Sequence, residues 1–297
     1  MNVNRFFTPE AGKKAAVALF LSGTGSNAGV LLEYIKNSDA AFAVTVLVTD
    51  APETSVAVKL SEKYGIPLVA CDIRKFYMEH GENSIKLDTP RRRELRDEWS
   101  DELWRGLRDF KIDFGVFAGF IPLSNIVSRI LCLNVHPGDL TVEVDGERIF
   151  AGLHILPVEK ALLMGNPALR SSVILAQGYS GSGEKEMDTG YVLGISQKVP
   201  VDLQGYSLED LRAVSDKRIV PPYDDPLRRV ALANVESLKT GGDHLVLPEV
   251  TNLFASGRYG TDEQGRLCFL ENDGEWKNIS TVEVFKDKSL RLHYAKQ

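Results

Sequence analysis

The chain has only three cysteines in 297 residues, Cys71, Cys132 and Cys268, and none belongs to a CxxC pair. An odd, scattered set of thiols argues against a disulfide framework and against a cysteine-based zinc site. Positive charge is not in excess either. Lys and Arg number 35 against 41 Asp and Glu, a formal net charge of −6, where a nucleic-acid binder would carry a basic footprint. The basic cluster RRRELR at 91–96 reads as a solvated helix face. No apolar run approaches the ~20 residues of a membrane span. KKAAVALFLSG has the flavour of a secretion leader, but its apolar part, 15–21, is short and runs into a glycine-rich turn, so a buried strand is the better reading. Internal repeats and low-complexity segments are missing. With 43% hydrophobic and 26% charged residues, the composition is that of an ordinary globular protein, expected to be cytoplasmic and to bind neither nucleic acid nor membrane.

What is present is a β-α-β-α-β rhythm. Residues 15–21 read as a strand, 28–36 as a helix, 43–48 as a strand, 55–64 as a helix and 66–70 as a short strand. Residues 72–90 are charged and irregular, and read as a loop. A long amphipathic helix is expected at 91–110, with Trp99, Leu103 and Leu107 at helical spacing. The near-continuous apolar run 114–120 suits a strand buried on both faces. A short helix at 122–129, a strand at 130–135 and a hairpin around Asp145-Gly146 follow. After these come a helix at 157–164 and strands at 171–176 and 191–198. The expected fold is α/β: a Rossmann-like, open, mostly parallel sheet with helices on both faces. From about 201 the composition turns polar. Residues 1–200 therefore read as the catalytic domain and 201–297 as a small C-terminal α+β extension, with a helix at 227–238 and strands at 254–258, 267–270 and 282–285.

Gly23-Thr24-Gly25-Ser26-Asn27-Ala28 satisfies GxGxxG/A between a strand and a helix, and Asp50 ends the next strand near where a ribose-binding acid sits in dinucleotide folds. A nicotinamide cofactor is one reading. Any phosphate or carboxylate is another, because backbone N–H groups at a helix N-terminus bind anions without help. A tight turn with a cap and no ligand is the plainest reading of all. The loop indicates an anion without naming it.

Asn134-Val135-His136-Pro137 closes an apolar strand. Strand residues alternate faces, so Asn134 and His136 share one side. Ligands of open α/β sheets bind at the carboxyl ends of strands, and a histidine there can serve as general acid, general base or cation. Alone it is as easily a hydrogen-bonded structural histidine. Met187-Asp188-Thr189-Gly190 adds a carboxylate able to orient and charge an imidazole. Asn, His and Asp together suit transfer of a formyl or acyl group through a tetrahedral intermediate.

With LSGTGSN, FAGFIPLS, LNVHP, AGLH, SSVILAQ, MDTG and QKVPV in this order, the chain resembles the folate-dependent formyltransferases. Within them it is most similar to the branch that formylates glycinamide ribonucleotide in purine synthesis. The resemblance covers about residues 15–200, with a weaker echo at GDHLVLPEV and LFASGR. It implies 10-formyltetrahydrofolate as co-substrate, no metal, and small-molecule substrates for a monomer or homodimer. It further implies Asn134, His136 and Asp188 as the catalytic trio, and Gly25, Ser26, Asn27, Arg96 and Asp243 as contacts to the phosphate and ribonucleotide. Phe120, Ile121, Leu123 and Met187 would line the folate pocket. The chain departs from the family pattern at Pro122, often an arginine, and at Asp243, a glutamate there. It also departs at GDL and VEVDGER after HP, in the longer GYSGSGEKE loop, and in an enlarged 202–240 region. Alternatives are a formyltransferase for another phosphorylated amine, a formyltetrahydrofolate hydrolase, an NAD(P)-dependent oxidoreductase, and a non-catalytic folate or nucleotide sensor.

Overall fold

A computed structural model describes residues 1–153, 155–179, 186–219 and 221–294. The chain divides into two compact units built from interleaved segments. The first comprises Met1–Asn134, Leu175–Tyr191 and Val250–Asn278; the second comprises Val135–Ile174, Val192–Glu249 and Ile279–Gln297. Residue 200, where the composition changes, lies within the Val192–Glu249 run of the second unit.

In the first unit the strands Leu68–Ala70, Phe42–Thr49, Ala15–Phe20, Phe114–Phe117 and the start of Cys132–His136, up to Asn134, lie side by side, all parallel. The Ala15–Phe20 strand, AAVALF, is buried at every residue. That is the physical reason it carries no polar alternation: it has strands on both edges and is covered on both faces. The helix Pro90–Leu107 buries Leu95, Trp99, Leu103 and Leu107, one residue every four, which is the stripe a core-facing helix needs. Thr89 caps it by accepting the Arg92 N–H, and Pro90 occupies the first turn, where its missing N–H costs nothing. The basic run behaves as a solvated face at its start. Arg91 pairs with Glu94 and Glu98, and Arg92 with Glu82 and Asp88. An antiparallel set, Asn4–Arg5, Tyr259–Thr261, Leu267–Leu270 and the start of Trp276–Val284, completes the strands of this unit.

In the second unit, Ser172–Leu175 pairs antiparallel with Val192–Ser196, which pairs in parallel with the end of Trp276–Val284. Leu290–Tyr294 runs antiparallel to the same strand. Helices Leu156–Leu163, Leu208–Ser215 and Pro226–Leu238 pack through Val158, Leu162, Leu211, Leu227, Val230 and Leu238. The enlarged 202–240 region is tied down by Arg218. Its guanidinium donates to Glu159 at 2.8 Å and to Asp225 at 2.7 Å, and Asp225 also caps the Pro226–Leu238 helix. The Glu143–Val144 and Glu147–Arg148 hairpin turns through Asp145 and Gly146, both at positive φ (52° and 80°), as a two-residue turn of this kind requires.

The fold class is α/β, a mixed sheet with a parallel core and helices, as expected from the sequence. Two local expectations fail. Residues 72–90 are not all loop: Asp72 accepts the Lys75 N–H and caps a helix at Ile73–Glu79, a capping signal hidden among surrounding charges. Residues 254–258 are not a strand: Phe254 and Ala255 end the helix His244–Ala255, which contains Pro248. An interior proline, normally a helix breaker, disguises that helix, and Gly257 at φ 69° turns the chain into Tyr259–Thr261.

Candidate active site

The glycine loop leaves the Ala15–Phe20 strand and opens the Ser26–Asn37 helix. Gly25, just before the helix, adopts φ 64° and ψ 22°, and no side chain caps the N-terminus. A Cβ on Gly25 would stand 2.5 Å from Val56 Cγ2, so both the conformation and the space demand glycine. The first helical amides are left to water or an anion. Ser26 is half-buried and Asn27 buried, and neither serves as the cap.

One residue upstream, Ser22 organises three segments. Its hydroxyl donates to Asp50 at 2.5 Å and accepts the Ile121 N–H at 2.8 Å, while its own N–H reaches the Gly119 carbonyl at 3.1 Å. Asp50 is 6% exposed. Burial pushes its carboxyl above the usual aspartate range, against the opposing pull of the Ser22 hydrogen bond. A carboxylate spent inside the fold in this way is poorly placed to grip a ribose, which removes the main support for the nicotinamide reading.

Phe120, Ile121 and Leu123 divide by role. Phe120 packs on Phe20, Phe117 and Trp99 with ring centroids 5.3, 5.4 and 6.3 Å away. Leu123 also leans on this core, and Ile121 is 51% exposed. Arg96 is 3% exposed. It donates Nη1 to the Leu123 carbonyl at 2.9 Å and Nη2 to the Ile85 carbonyl at 2.6 Å, with Tyr77 and Trp99 rings near its guanidinium. Its hydrogen bonds brace backbone, a use that residue spacing does not reveal.

Asp188 lies in the single turn Glu186–Thr189 and is 6% exposed. The glycine of its MDTG motif is sterically required: a Cβ on Gly190 would fall 1.7 Å from the Leu175 carbonyl oxygen. Tyr179 N–H reaches Asn125 Oδ1 at 3.2 Å, and burial pushes the Tyr179 hydroxyl up to about 12. Residues 180–185, the side chain of Met187 and His154 of AGLH lie outside the described residues.

In the second unit, His136 is 4% exposed, with Nε2 2.7 Å from the Phe150 carbonyl oxygen. The GDL that follows is held as closely. Gly138 N–H donates to the His136 carbonyl at 3.0 Å. Ser172 Oγ donates to the Gly138 carbonyl at 2.7 Å and accepts the Leu140 N–H at 3.0 Å. Asp139 meets Arg170 at 3.4 Å, and Arg170 continues to Glu283. Asp243, 5% exposed, accepts the Ser171 hydroxyl at 2.5 Å in the π-helical turn Lys239–Asp243.

Of the expected site residues, Gly25, Ser26, Asn27, Arg96, Phe120, Ile121, Leu123, Asn134 and Asp188 belong to the first unit, and His136 and Asp243 to the second. Asn134 is half-buried and lies two residues before His136 on one strand. Ser22, Gly138 and Ser171 were not named as site residues from the sequence, and Asp50 was raised only as a ribose-binding acid in the nicotinamide reading. Ser22 stands at the head of the glycine motif and Gly138 in the departing GDL, which are the signals that could have found them. Among the described residues no group of His, Cys, Asp and Glu is arranged to hold a metal ion, and no helix is long and apolar enough to cross a membrane. Burial pushes the Cys71 thiol up to about 12 and raises that of Cys132 further, which leaves neither as a ready nucleophile.

No family model matches the chain. A trifunctional purine biosynthetic protein, adenosine-3, of Bos taurus is 24% identical over 261 residues, 88% of this chain, and the chain spans only 20% of that relative's length. The phosphoribosylglycinamide formyltransferase of Coxiella burnetii superposes with a TM-score of 0.58 at 18% identity, covering 91% of this chain and 99% of that one. A formyltetrahydrofolate deformylase from Pseudomonas syringae pv. tomato superposes at 0.52 with 13% identity, covering 88% and 67%. The fold is therefore the one that these solved structures share.

Proposed function

We propose that this chain is a folate-dependent formyltransferase that moves the formyl group of 10-formyltetrahydrofolate to the amine of glycinamide ribonucleotide. The observation that carries the reading is the end of the Cys132–His136 strand. There a half-buried amide and a buried imidazole stand two residues apart on a parallel strand, in a fold that formyltransferases use. The uncapped Ser26–Asn37 helix behind Gly25 supports an anionic substrate such as a phosphate monoester.

In this reading the substrate amine attacks the formyl carbon, and the carbonyl electrons move onto oxygen. Asn134 and His136 donate hydrogen bonds to that oxyanion; one well-placed donor of this kind is worth roughly 3–4 kcal/mol, or ~10²–10³ in rate. The bond from carbon to folate N10 then breaks. The amine gives up one proton and N10 gains one, a transfer that a histidine can mediate. The family resemblance also assigns Asp188 to the reaction. Ile121 is the side chain of its segment most available to a folate, with Phe120 and Leu123 as its support. The purine-synthesis assignment goes with the glycinamide ribonucleotide acceptor.

An absorbance assay with 10-formyltetrahydrofolate tests the assignment, run with glycinamide ribonucleotide, with other amines, and with no amine. Formyl transfer to glycinamide ribonucleotide is expected, with His136→Ala and Asp188→Asn each reducing turnover by about 10²-fold or more. Consumption at the same rate without any amine would make the protein a formyltetrahydrofolate hydrolase. Tight folate binding with no turnover would leave it a sensor.

A further inference from the structure

We propose that Gly138 and the Phe150 carbonyl form a positioning pair that sets the tautomer of His136. Nε2 keeps a proton in both charge states, and Nδ1 is the nitrogen that takes up and releases one. The inference rests on the formyl-transfer reading of His136 and deepens it by naming the reacting nitrogen.

A backbone carbonyl oxygen only accepts hydrogen bonds. The 2.7 Å approach of His136 Nε2 to Phe150 O is thus favourable only with a proton on Nε2. In neutral imidazole the lone pair then belongs to Nδ1; in imidazolium Nδ1 becomes a second donor. The carbonyl lies on a buried residue, 3% exposed, that packs with Ile155 and Val158, so it does not turn away to water.

Gly138 makes the approach possible. A Cβ there would lie 2.8 Å from Phe150 O, 3.0 Å from His136 Nε2 and 3.1 Å from Pro157 Cβ. Any side chain would therefore push on both atoms of the hydrogen bond at once. Gly138 has little freedom to escape, because its N–H is bonded to the His136 carbonyl and its own carbonyl to Ser172 Oγ. Ser172 is fully buried and bonded onward to Leu140 N. On the neighbouring segments Asp139 pairs with Arg170 and Glu143 with Arg148, and the same hairpin also carries Asp145 and Glu147. The residue that looked anomalous after HP is the one whose missing side chain admits the carbonyl.

During transfer, Nδ1–H of the imidazolium donates to the oxyanion formed when the amine nitrogen bonds to the formyl carbon. When the carbon–N10 bond breaks, the proton lost by the amine balances the one gained by N10, and Nδ1 is the site through which a proton passes. Nε2 takes no part beyond holding the ring.

Long-range proton–nitrogen correlation spectra of the ¹⁵N-histidine-labelled protein test this directly, with His136→Asn used to assign the signals. Under conditions where His136 is neutral, Nε2 is expected to be the protonated nitrogen. A neutral ring protonated on Nδ1 overturns the proposal. In Gly138→Ala the Nε2-protonated form should lose its dominance, and kcat should fall about 10- to 100-fold with KM for both substrates within about twofold. A folded Gly138→Ala protein with unchanged tautomer and unchanged kcat also overturns it. If that variant does not fold, the wild-type spectrum still decides. The spectrum needs no turnover, so an Nε2-protonated ring in a protein that transfers no formyl group leaves the positioning pair standing and removes only the functional reading.

Discussion

Ser22 Oγ stands 2.5 Å from the Asp50 carboxylate and accepts the Ile121 N–H at 2.8 Å through the same oxygen. One hydroxyl thus joins the end of the Phe42–Thr49 strand, the head of the glycine loop and the AGFI segment. The loop proposed to hold a phosphate and the segment proposed to support folate are consequently set by a common polar joint. Ser22→Ala strips that joint from a buried carboxylate and a backbone N–H at once. Loss of about 1–3 kcal/mol is expected, the range for buried polar groups left unpaired, read as a lower urea midpoint. KM for folate should rise with it, because Ile121 loses its tether. An unchanged midpoint with an unchanged KM would dismiss the joint.

Asp50 gives the joint a pH signature. Burial raises its carboxyl above the ordinary aspartate value, with Asp72 adding to the rise and Ser22 and Arg96 opposing it. Between the unfolded and folded values the folded protein holds more proton than the unfolded chain. The contribution of this group to stability is therefore greatest below the unfolded value and falls as pH rises toward and through the folded one. Asp50→Asn keeps an acceptor for Ser22 and has no such dependence. Urea midpoints of variant and wild type, measured from about pH 3.5 to about pH 7 around the ordinary aspartate range, should shift in favour of the variant as pH rises. A gap that stays flat, or moves the other way, rules out a raised carboxyl.

Arg96 separates a ribonucleotide contact from a backbone brace. Resemblance assigns it to the substrate, but its two terminal nitrogens are bonded to Leu123 O and Ile85 O. Lysine keeps the charge and can serve one carbonyl but not both in that geometry. Arg96→Lys is expected to lower the urea midpoint by the equivalent of about 1–3 kcal/mol and to raise KM for folate, through Leu123, more than KM for the ribonucleotide. The opposite ordering of the two KM values would restore the substrate contact.

The parallel core was legible because its strands are covered on both faces, and AAVALF and FGVF have nowhere to place a polar residue. The glycine motif was legible because Gly25 has no alternative at φ 64° against Val56. Helix Ile73–Glu79 was not, since only Asp72 marks it and charges surround it. Pro248 hid the helix that contains it. Within the candidate site, residue types were readable and hydrogen-bond partners were not. Neither the two carbonyls that take up Arg96 nor the carbonyl that meets His136 leaves any trace in side-chain identity. Gly138 looked like a departure from a pattern because its function is to leave space.

Asp243 is the sharpest test of how far the family pattern extends. The pattern has glutamate at this position, with the carboxylate reaching the substrate. Here the shorter side chain is 5% exposed and accepts the Ser171 hydroxyl at 2.5 Å. A Cβ on the neighbouring Gly242 would already lie 2.5 Å from Ser171 Oγ and 2.9 Å from Leu238 Cδ1. An added methylene therefore has little room, and overpacking of a tight interior costs about 1–3 kcal/mol. Asp243→Glu is expected to lower the urea midpoint without improving KM for glycinamide ribonucleotide. Asp243→Asn preserves the shape and an acceptor for Ser171, so it should fold near-normally. If the carboxylate binds the substrate amine, that variant raises the ribonucleotide KM about tenfold, the loss of one charge-assisted hydrogen bond; if Asp243 serves only the turn, KM stays put. A more stable Asp243→Glu protein with a lower ribonucleotide KM would mean that the site has room for the longer side chain, and that the Ser171 bond is incidental.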